Sequence, residues 1–267
     1  MSQVAIIGAG VMGETLLSGL LRAGRRADDL MVGEKRAERA HELHERYGVT
    51  VSTNLEAAEK ADTLALVVKP QDMEDLLKEI SPAVRPGQLV VSLAAGITTS
   101  FLETHLPTGV AVVRVMPNTP ALVDEGMAAI SRGSHCDEGH LLEAESLMAS
   151  IGKVIRVPEK QQDAVTAVSG SGPAYIFFVV EAMIEAGVHL GLPRATASEL
   201  VVQTVVGSAK LLRETGEHPT VLREQVTSPA GTTAAAVREL EDHKVRAAFL
   251  TALEAARDRS RALAEGS

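Results

Sequence analysis

Three groups of residues in this sequence have types and spacings that could do chemistry. The first is Gly8-Ala9-Gly10-Val11-Met12-Gly13, which follows the apolar run Val4–Ile7 and opens an amphipathic stretch. In a strand–turn–helix setting, the first glycine permits a tight turn and the second lets a pyrophosphate reach the backbone. The third lets the helix pack close to the strand. Free N–H groups at the helix start then hold the anion. The second group, Glu34-Lys35-Arg36, stands after the next apolar run, where a residue reading a ribose belongs, about 20 positions beyond the glycines. Its carboxylate favours a ribose diol, and its two cations favour a 2′-phosphate. The residues alone leave both readings open.

The third group is Val226-Thr227-Ser228-Pro229-Ala230-Gly231-Thr232-Thr233, a turn of small residues running into Ala234–Glu241. The hydroxyls of Ser228, Thr232 and Thr233, with the N–H groups at the start of a helix, make a site sized for a carboxylate. A further string, Ser169-Gly170-Ser171-Gly172-Pro173, fails the nucleophile-elbow pattern because Ser169 occupies the first glycine position. It reads as a helix start, with Ser171 as cap and Pro173 in the first turn.

The elements that must position these groups follow from periodicity. Strand-like runs at Val4–Ile7, Leu30–Val32, Thr63–Val68, Leu89–Leu93 and Val110–Val115 alternate with amphipathic stretches such as Thr15–Ala23, Ala37–Tyr47 and Met73–Ile80. Met127–Ile130 and Val154–Val157 flank a helical stretch and close the same sheet. Buried strands alternating with helices predict an α/β domain with a mostly parallel sheet covered on both faces. Ligands of such sheets bind beyond the carboxyl ends of the strands. That singles out Val67-Val68-Lys69-Pro70, Leu93-Ala94-Ala95-Gly96 and Met116-Pro117-Asn118-Thr119-Pro120. After Pro158 the strands stop and helical patterns take over at Gly172–Leu190, Pro193–Glu214, Thr232–Glu241 and Lys244–Ala264. The expected organisation is residues 1–158 as a Rossmann-type domain and residues 159–267 as an all-helical one.

Composition narrows the function classes. With 26 Lys and Arg against 35 acids, the net charge of −9 disfavours a general nucleic-acid binder. Four Phe, two Tyr and no Trp leave little for stacking bases. A single cysteine, Cys136, excludes an intrachain disulfide and suits a reducing compartment. His41 and His44 fall on one helix face without a metalloprotease pattern, so no metal is expected. No continuous apolar run is as long as a membrane span, and the N-terminus lacks the layout of a signal peptide, so a cytoplasmic protein is expected.

Taken in order, IIGAGVMG, VVKP, SLAAGI, RVMPNTP, AVSGSGPAY and VTSPAGTTAAAVRELE resemble the pyrroline-5-carboxylate reductase family over essentially the whole chain. Ala230 departs from the family, which usually has Gly in SPGGTT. The resemblance implies reduction of 1-pyrroline-5-carboxylate to L-proline by NAD(P)H, generally NADPH with NADH often accepted. It implies a helical domain that forms a homodimer, with rings of dimers known in the family. It implies that Ile7, Gly8, Ala9, Gly10, Val11, Met12, Glu34, Lys35, Arg36, Asn54, Val67, Val68, Lys69, Pro70, Leu93, Ala94 and Ala95 line the dinucleotide. Ser228, Gly231 and Thr232 would hold the substrate carboxylate, and Thr233 would hydrogen-bond the ring nitrogen as the catalytic residue. The N-terminal domain alone would also suit a β-hydroxyacid dehydrogenase or a deazaflavin-dependent NADP reductase. The SGSGPAY and SPAGTT strings speak against both.

Overall fold

The computed structural model describes residues 2–265. Eight strands form one sheet: β1 (Val4–Ile7), β2 (Leu30–Gly33), β3 (Thr50–Ser52), β4 (Thr63–Leu66), β5 (Leu89–Ser92), β6 (Ala111–Met116), β7 (Gly126–Arg132) and β8 (Gly152–Arg156). Their order is β3-β2-β1-β4-β5-β6-β7-β8, parallel throughout except for the β6–β7 pair. The first six strands follow the doubly wound order, with the direction of winding reversing between β1 and β4. The central strands are buried along their whole length, and the pleat splits their side chains between two cores. Val4 and Ile6 pack on one face with Leu16, Leu17 and Leu20 of helix α1 (Val11–Arg22). Ala5 and Ile7 pack on the other with Leu64, Leu66, Met73 and Leu77.

The remaining helices of this part are α2 (Ala37–Tyr47), α3 (Asn54–Lys60), α4 (Met73–Ile80), α5 (Thr99–His105), α6 (Glu138–Ala149) and the short α7 (Gln162–Val165). The strand β3 and the helices α3 and α5 were not expected from the sequence. Helix α3 is only seven residues long and owes its start to a capping box, in which Thr53 and Glu56 each serve the other's backbone N–H. Cys136 is buried, and its thiol donates to the Val112 carbonyl at 2.9 Å.

The Ser171 cap expected from the sequence is not formed. Thr166–Gly170 is a π-helical turn that continues α7, with the Ser171 N–H donating to the Thr166 carbonyl at 2.8 Å. Ser171 has helical dihedrals (φ −86°, ψ −15°) rather than the extended ones of an N-cap. The wider turn packs against β6. Gly170 lies against Met116, where a Cβ would come within 2.5 Å of the Met116 methyl.

By compactness the chain divides after Ser171, later than the change of texture at Pro158, and the described residues from Ala256 group with the first unit. The second unit, Gly172–Ala255, contains α8 (Gly172–His189), α9 (Arg194–Thr215), α10 (Pro219–Gln225), α11 (Thr232–Asp242) and most of α12 (Val245–Glu265). Its punctuation matches the sequence. Gly191 and Gly216 take left-handed backbone at φ 96° and 65°, and Pro193 and Pro219 lead into α9 and α10. The short α10 was not expected. This unit has almost no core of its own. No residue of α8 is buried, and Phe177, Phe178, Leu190, Leu200, Val206 and Leu250 are exposed.

Candidate active site

The glycines after β1 occupy the three environments that their spacing predicts. Gly8 has φ 100°, and a Cβ there would lie 2.5 Å from the Val67 carbonyl oxygen. At Gly13 a Cβ would collide with the Gly8 carbonyl oxygen, so this glycine sets the closeness of helix to strand. At Gly10 a Cβ would meet nothing within 4 Å. That open cradle fits a pyrophosphate. Gly10 is also the N-cap of α1, has no side chain to cap it, and accepts the first helical bond from the Glu14 N–H at 2.9 Å. The N–H groups of Val11, Met12 and Gly13 precede any helical partner and carry the positive end of the helix dipole.

The other expected cofactor segments lie at the ends of neighbouring strands. Backbone bonds extend the ladder beyond β1, β4 and β5. The Gly8 N–H donates to the Gly33 carbonyl, Val67 N–H to Ile7, and Leu93 N–H to Leu66. These bonds bring Gly8, Glu34, Val67 and Leu93 to one edge of the sheet, at the switch point between β1 and β4.

Beside the glycine loop a pocket of about 450 Å³ is lined by Ile7, Gly8, Gly33, Glu34, Lys35, Arg36, Asn54, Val68, Asp72, Asp75, Leu76 and Glu79. It gathers seven residues of the expected cofactor set. Ala9–Met12 lie outside it at the start of α1, and Val67, Lys69, Pro70 and Leu93–Ala95 lie outside it after β4 and β5. Glu34 accepts from the Arg36 backbone N–H at 2.9 Å and from its guanidinium Nε and Nη2, each at 3.1 Å. That guanidinium holds the Glu34 carboxyl below the usual carboxylate range, against an opposing push from burial. Asn54 is buried at the start of α3.

Sequence reasoning missed Asp72, Asp75, Leu76 and Glu79. They recur at i, i+3, i+4 and i+7, one stripe of α4 and the turn before it. That periodicity was the available signal. It reads as an ordinary solvated face until the fold sets it opposite Glu34–Arg36.

Two other sequence strings meet within the first unit. Asn118, after β6, donates to the Ser169 carbonyl at 3.1 Å and accepts from the Met127 N–H at 2.8 Å. The loop after β6 is thus tied to the π turn Thr166–Gly170, with Gly170 against Met116.

In the second unit, Ser228-Pro229-Ala230-Gly231 is a tight turn closed by the Gly231 N–H donating to the Ser228 carbonyl at 3.0 Å. Proline at its second position and φ 57° at its third are the marks of a type II turn, whose third position favours glycine. Gly231 is the N-cap of α11, with no side-chain cap. The N–H groups of Thr232, Thr233 and Ala234 therefore precede the first helical bond, from Ala235 to Gly231. The Thr227 hydroxyl is committed to the Arg223 carbonyl at 2.6 Å. Those of Ser228, Thr232 and Thr233 have no hydrogen-bond partner among the described residues. No ionisable side chain lies between Val226 and Val237. The loop can hold an anion and offer hydroxyls, but it has no strong acid or base.

Comparison with known proteins decides the family. The pyrroline-5-carboxylate reductase of Corynebacterium melassecola is 46% identical to this chain, over 98% of the chain and 99% of its own length. This chain belongs to the pyrroline-5-carboxylate reductase family. The reductase of Mycobacterium tuberculosis is 44% identical over 98% of this chain and 97% of its own length. Among solved structures, the pyrroline-5-carboxylate reductase of Coxiella burnetii matches with a TM-score of 0.94 at 37% identity, covering 98% of both chains. The Plasmodium falciparum pyrroline carboxylate reductase, solved with NADP bound, matches with a TM-score of 0.87 at 29% identity, again over 98% of both chains.

Two family models divide the chain. Residues 3–96 match NADP oxidoreductase, coenzyme F420-dependent, which explains why the first domain alone would suit a deazaflavin-dependent enzyme. Residues 159–263 match the pyrroline-5-carboxylate reductase dimerisation domain. A dimerisation domain accounts for helices that bury so little by themselves. The helical stretch Glu159–His189 is, by length and composition, apolar enough to cross a membrane. It meets that standard by its average hydropathy, while Ser, Gly and Thr interrupt it so that no continuous apolar run within it is as long as a membrane span.

Proposed function

We infer that this chain reduces 1-pyrroline-5-carboxylate to L-proline with NAD(P)H, the last step of proline biosynthesis. Membership of the reductase family over 98% of the chain supports this reading. The observation that carries it is the loop Ser228–Thr233, which offers an uncapped helix start and uncommitted hydroxyls but no proton-transfer group.

A bound nicotinamide supplies the hydride. The protein's task is then to position two rings and to favour charge where it is needed. Gly8–Met12, with the strand-end segments Val67–Pro70 and Leu93–Ala95, would hold the dinucleotide, and Asn54 and Glu34–Arg36 would hold its adenosine end. Ser228, Gly231 and Thr232 would hold the substrate carboxylate at the positive end of α11. Thr233 would place a hydroxyl against the ring nitrogen. An imine accepts hydride readily when its nitrogen is protonated, and that proton stays on the product amine. A hydroxyl in hydrogen-bond contact therefore suffices, whereas oxidation of an alcohol would call for a general base.

The helical domain would pair two copies as a homodimer, and dimers would join into a ring. The protein would work in the cytoplasm, with the apolar face of Glu159–His189 set against protein rather than lipid. Analytical ultracentrifugation without detergent tests this part.

The site is tested by Thr233→Ala. We expect kcat to fall about a hundredfold, as for loss of one hydrogen-bonding group at a reacting centre, with KM for the dinucleotide little changed. An unchanged kcat would remove Thr233 from the reaction.

A further inference from the structure

We propose that Glu79, acting through Lys35, sets the choice between NADH and NADPH. The proposal rests on the reading that the Glu34–Arg36 pocket takes the adenosine end of the cofactor. Two cations face that pocket, and a carboxylate already engages each of them. Arg36 is tied to Glu34. The Lys35 ammonium lies 2.8 Å from Glu79 Oε2. Four carboxylates line the same space, those of Glu34, Asp72, Asp75 and Glu79. The wall that would receive a 2′-phosphate therefore carries more negative than positive charge.

Glu79 is held in place by the fold. The same Oε2 accepts from Asn54 Nδ2 at 3.2 Å. Asn54 is only 6% exposed and is the first residue of α3, fixed by the Thr53–Glu56 capping box. On its other side, Asn54 Oδ1 backs onto Gly33 so closely that a Cβ there would come within 2.7 Å. Gly33, Asn54, Glu79 and Lys35 thus form one chain of contacts running from the end of β2 to the pocket.

A 2′-phosphate carries close to two negative charges near neutral pH. To use Lys35 it must displace a carboxylate that is tethered beside that ammonium. A ribose diol is neutral and makes no such demand. Glu79 is a positioning residue: it works by holding Lys35, which only the phosphate needs to recruit. Glu79→Gln removes the charge and keeps an amide oxygen able to accept from Asn54.

The test is steady-state kinetics with both cofactors at fixed 1-pyrroline-5-carboxylate. In E79Q, the ratio of kcat/KM for NADPH to kcat/KM for NADH should rise about three- to fivefold, the upper part of the range for an ion pair with one exposed partner. In a Lys35→Ala background the same substitution should shift the ratio by less than about twofold, because the two changes act through one contact. A merely structural role for Glu79 would move both cofactors together. A ratio unmoved in E79Q, or a rise that persists fully without Lys35, overturns the proposal while leaving the reductase reading intact. If the parent protein oxidises neither cofactor, the reductase reading fails and the proposal fails with it. Lys35→Gln is the companion variant; it should lower the ratio, and a raised ratio counts against the proposal.

Discussion

Asn118 donates through Nδ2 to the carbonyl of Ser169 at 3.1 Å, and so ties the loop after β6 to the π-helical turn before Gly172. A π turn leaves carbonyls displaced from their usual helical partners, and such turns are often found at functional sites. Here one displaced carbonyl finds a side-chain amide, whose own oxygen accepts from Met127.

Asn118→Ala removes both bonds and leaves a partly buried carbonyl and a partly buried N–H without partners. The expected cost is about 1–3 kcal/mol. For a chain of this size that lowers Tm by several degrees, at about 2–4 °C per kcal/mol. Differential scanning fluorimetry reads it directly. A Tm within a degree or so of the parent would show that the bond does not stabilise the turn.

The glycine loop allows a sharper contrast. Gly10→Ala adds a methyl group where nothing stands within 4 Å, and Gly10 has an ordinary φ of −72°. Folding should be nearly unaffected, while KM for the dinucleotide rises about tenfold or more because the methyl fills the phosphate cradle. Gly13→Ala drives a methyl into the Gly8 carbonyl and should cost several kcal/mol in stability. Thermal melts alongside cofactor titrations separate the two. If Gly10→Ala lowers stability and Gly13→Ala does not, the roles assigned to these glycines are reversed.

Ala230 holds a left-handed backbone at φ 57°, in a turn position that favours glycine. An L-residue pays about 1–2 kcal/mol for this conformation, and glycine returns part of that gain as unfolded-state entropy. Ala230→Gly should therefore stabilise the protein by about 0.5–1 kcal/mol and raise Tm by about 1–4 °C. A lowered Tm would mean that the turn tolerates alanine without strain.

Much of this was legible in the sequence, and the gaps have physical causes. Strong periodicity exposed β1, β2, β4, β5 and the helices that follow β1 and β2. The three-residue β3 and the seven-residue α3, α5 and α10 are too short to show a period. The glycine spacing was enough to read the cradle at Gly10, because that chemistry is local. Ser171 was misread as a cap because the π turn depends on Met116 and Asn118, which lie far away in the chain. Glu79 was invisible for the same reason: its partners Lys35 and Asn54 reach it only through the sheet order. The strain at Ala230 followed from residue type alone once its φ was known.

Reduction of 1-pyrroline-5-carboxylate by this chain can be followed optically, because NADPH and NADH lose their absorbance on oxidation. The most direct measurement follows NADPH and NADH absorbance in separate cuvettes before and after adding that substrate, with the product identified by chiral chromatography. The expected result is oxidation of at least one cofactor only when substrate is present, with L-proline formed in equal amount. Absence of substrate-dependent oxidation of either cofactor, by a protein shown to be folded, would contradict it.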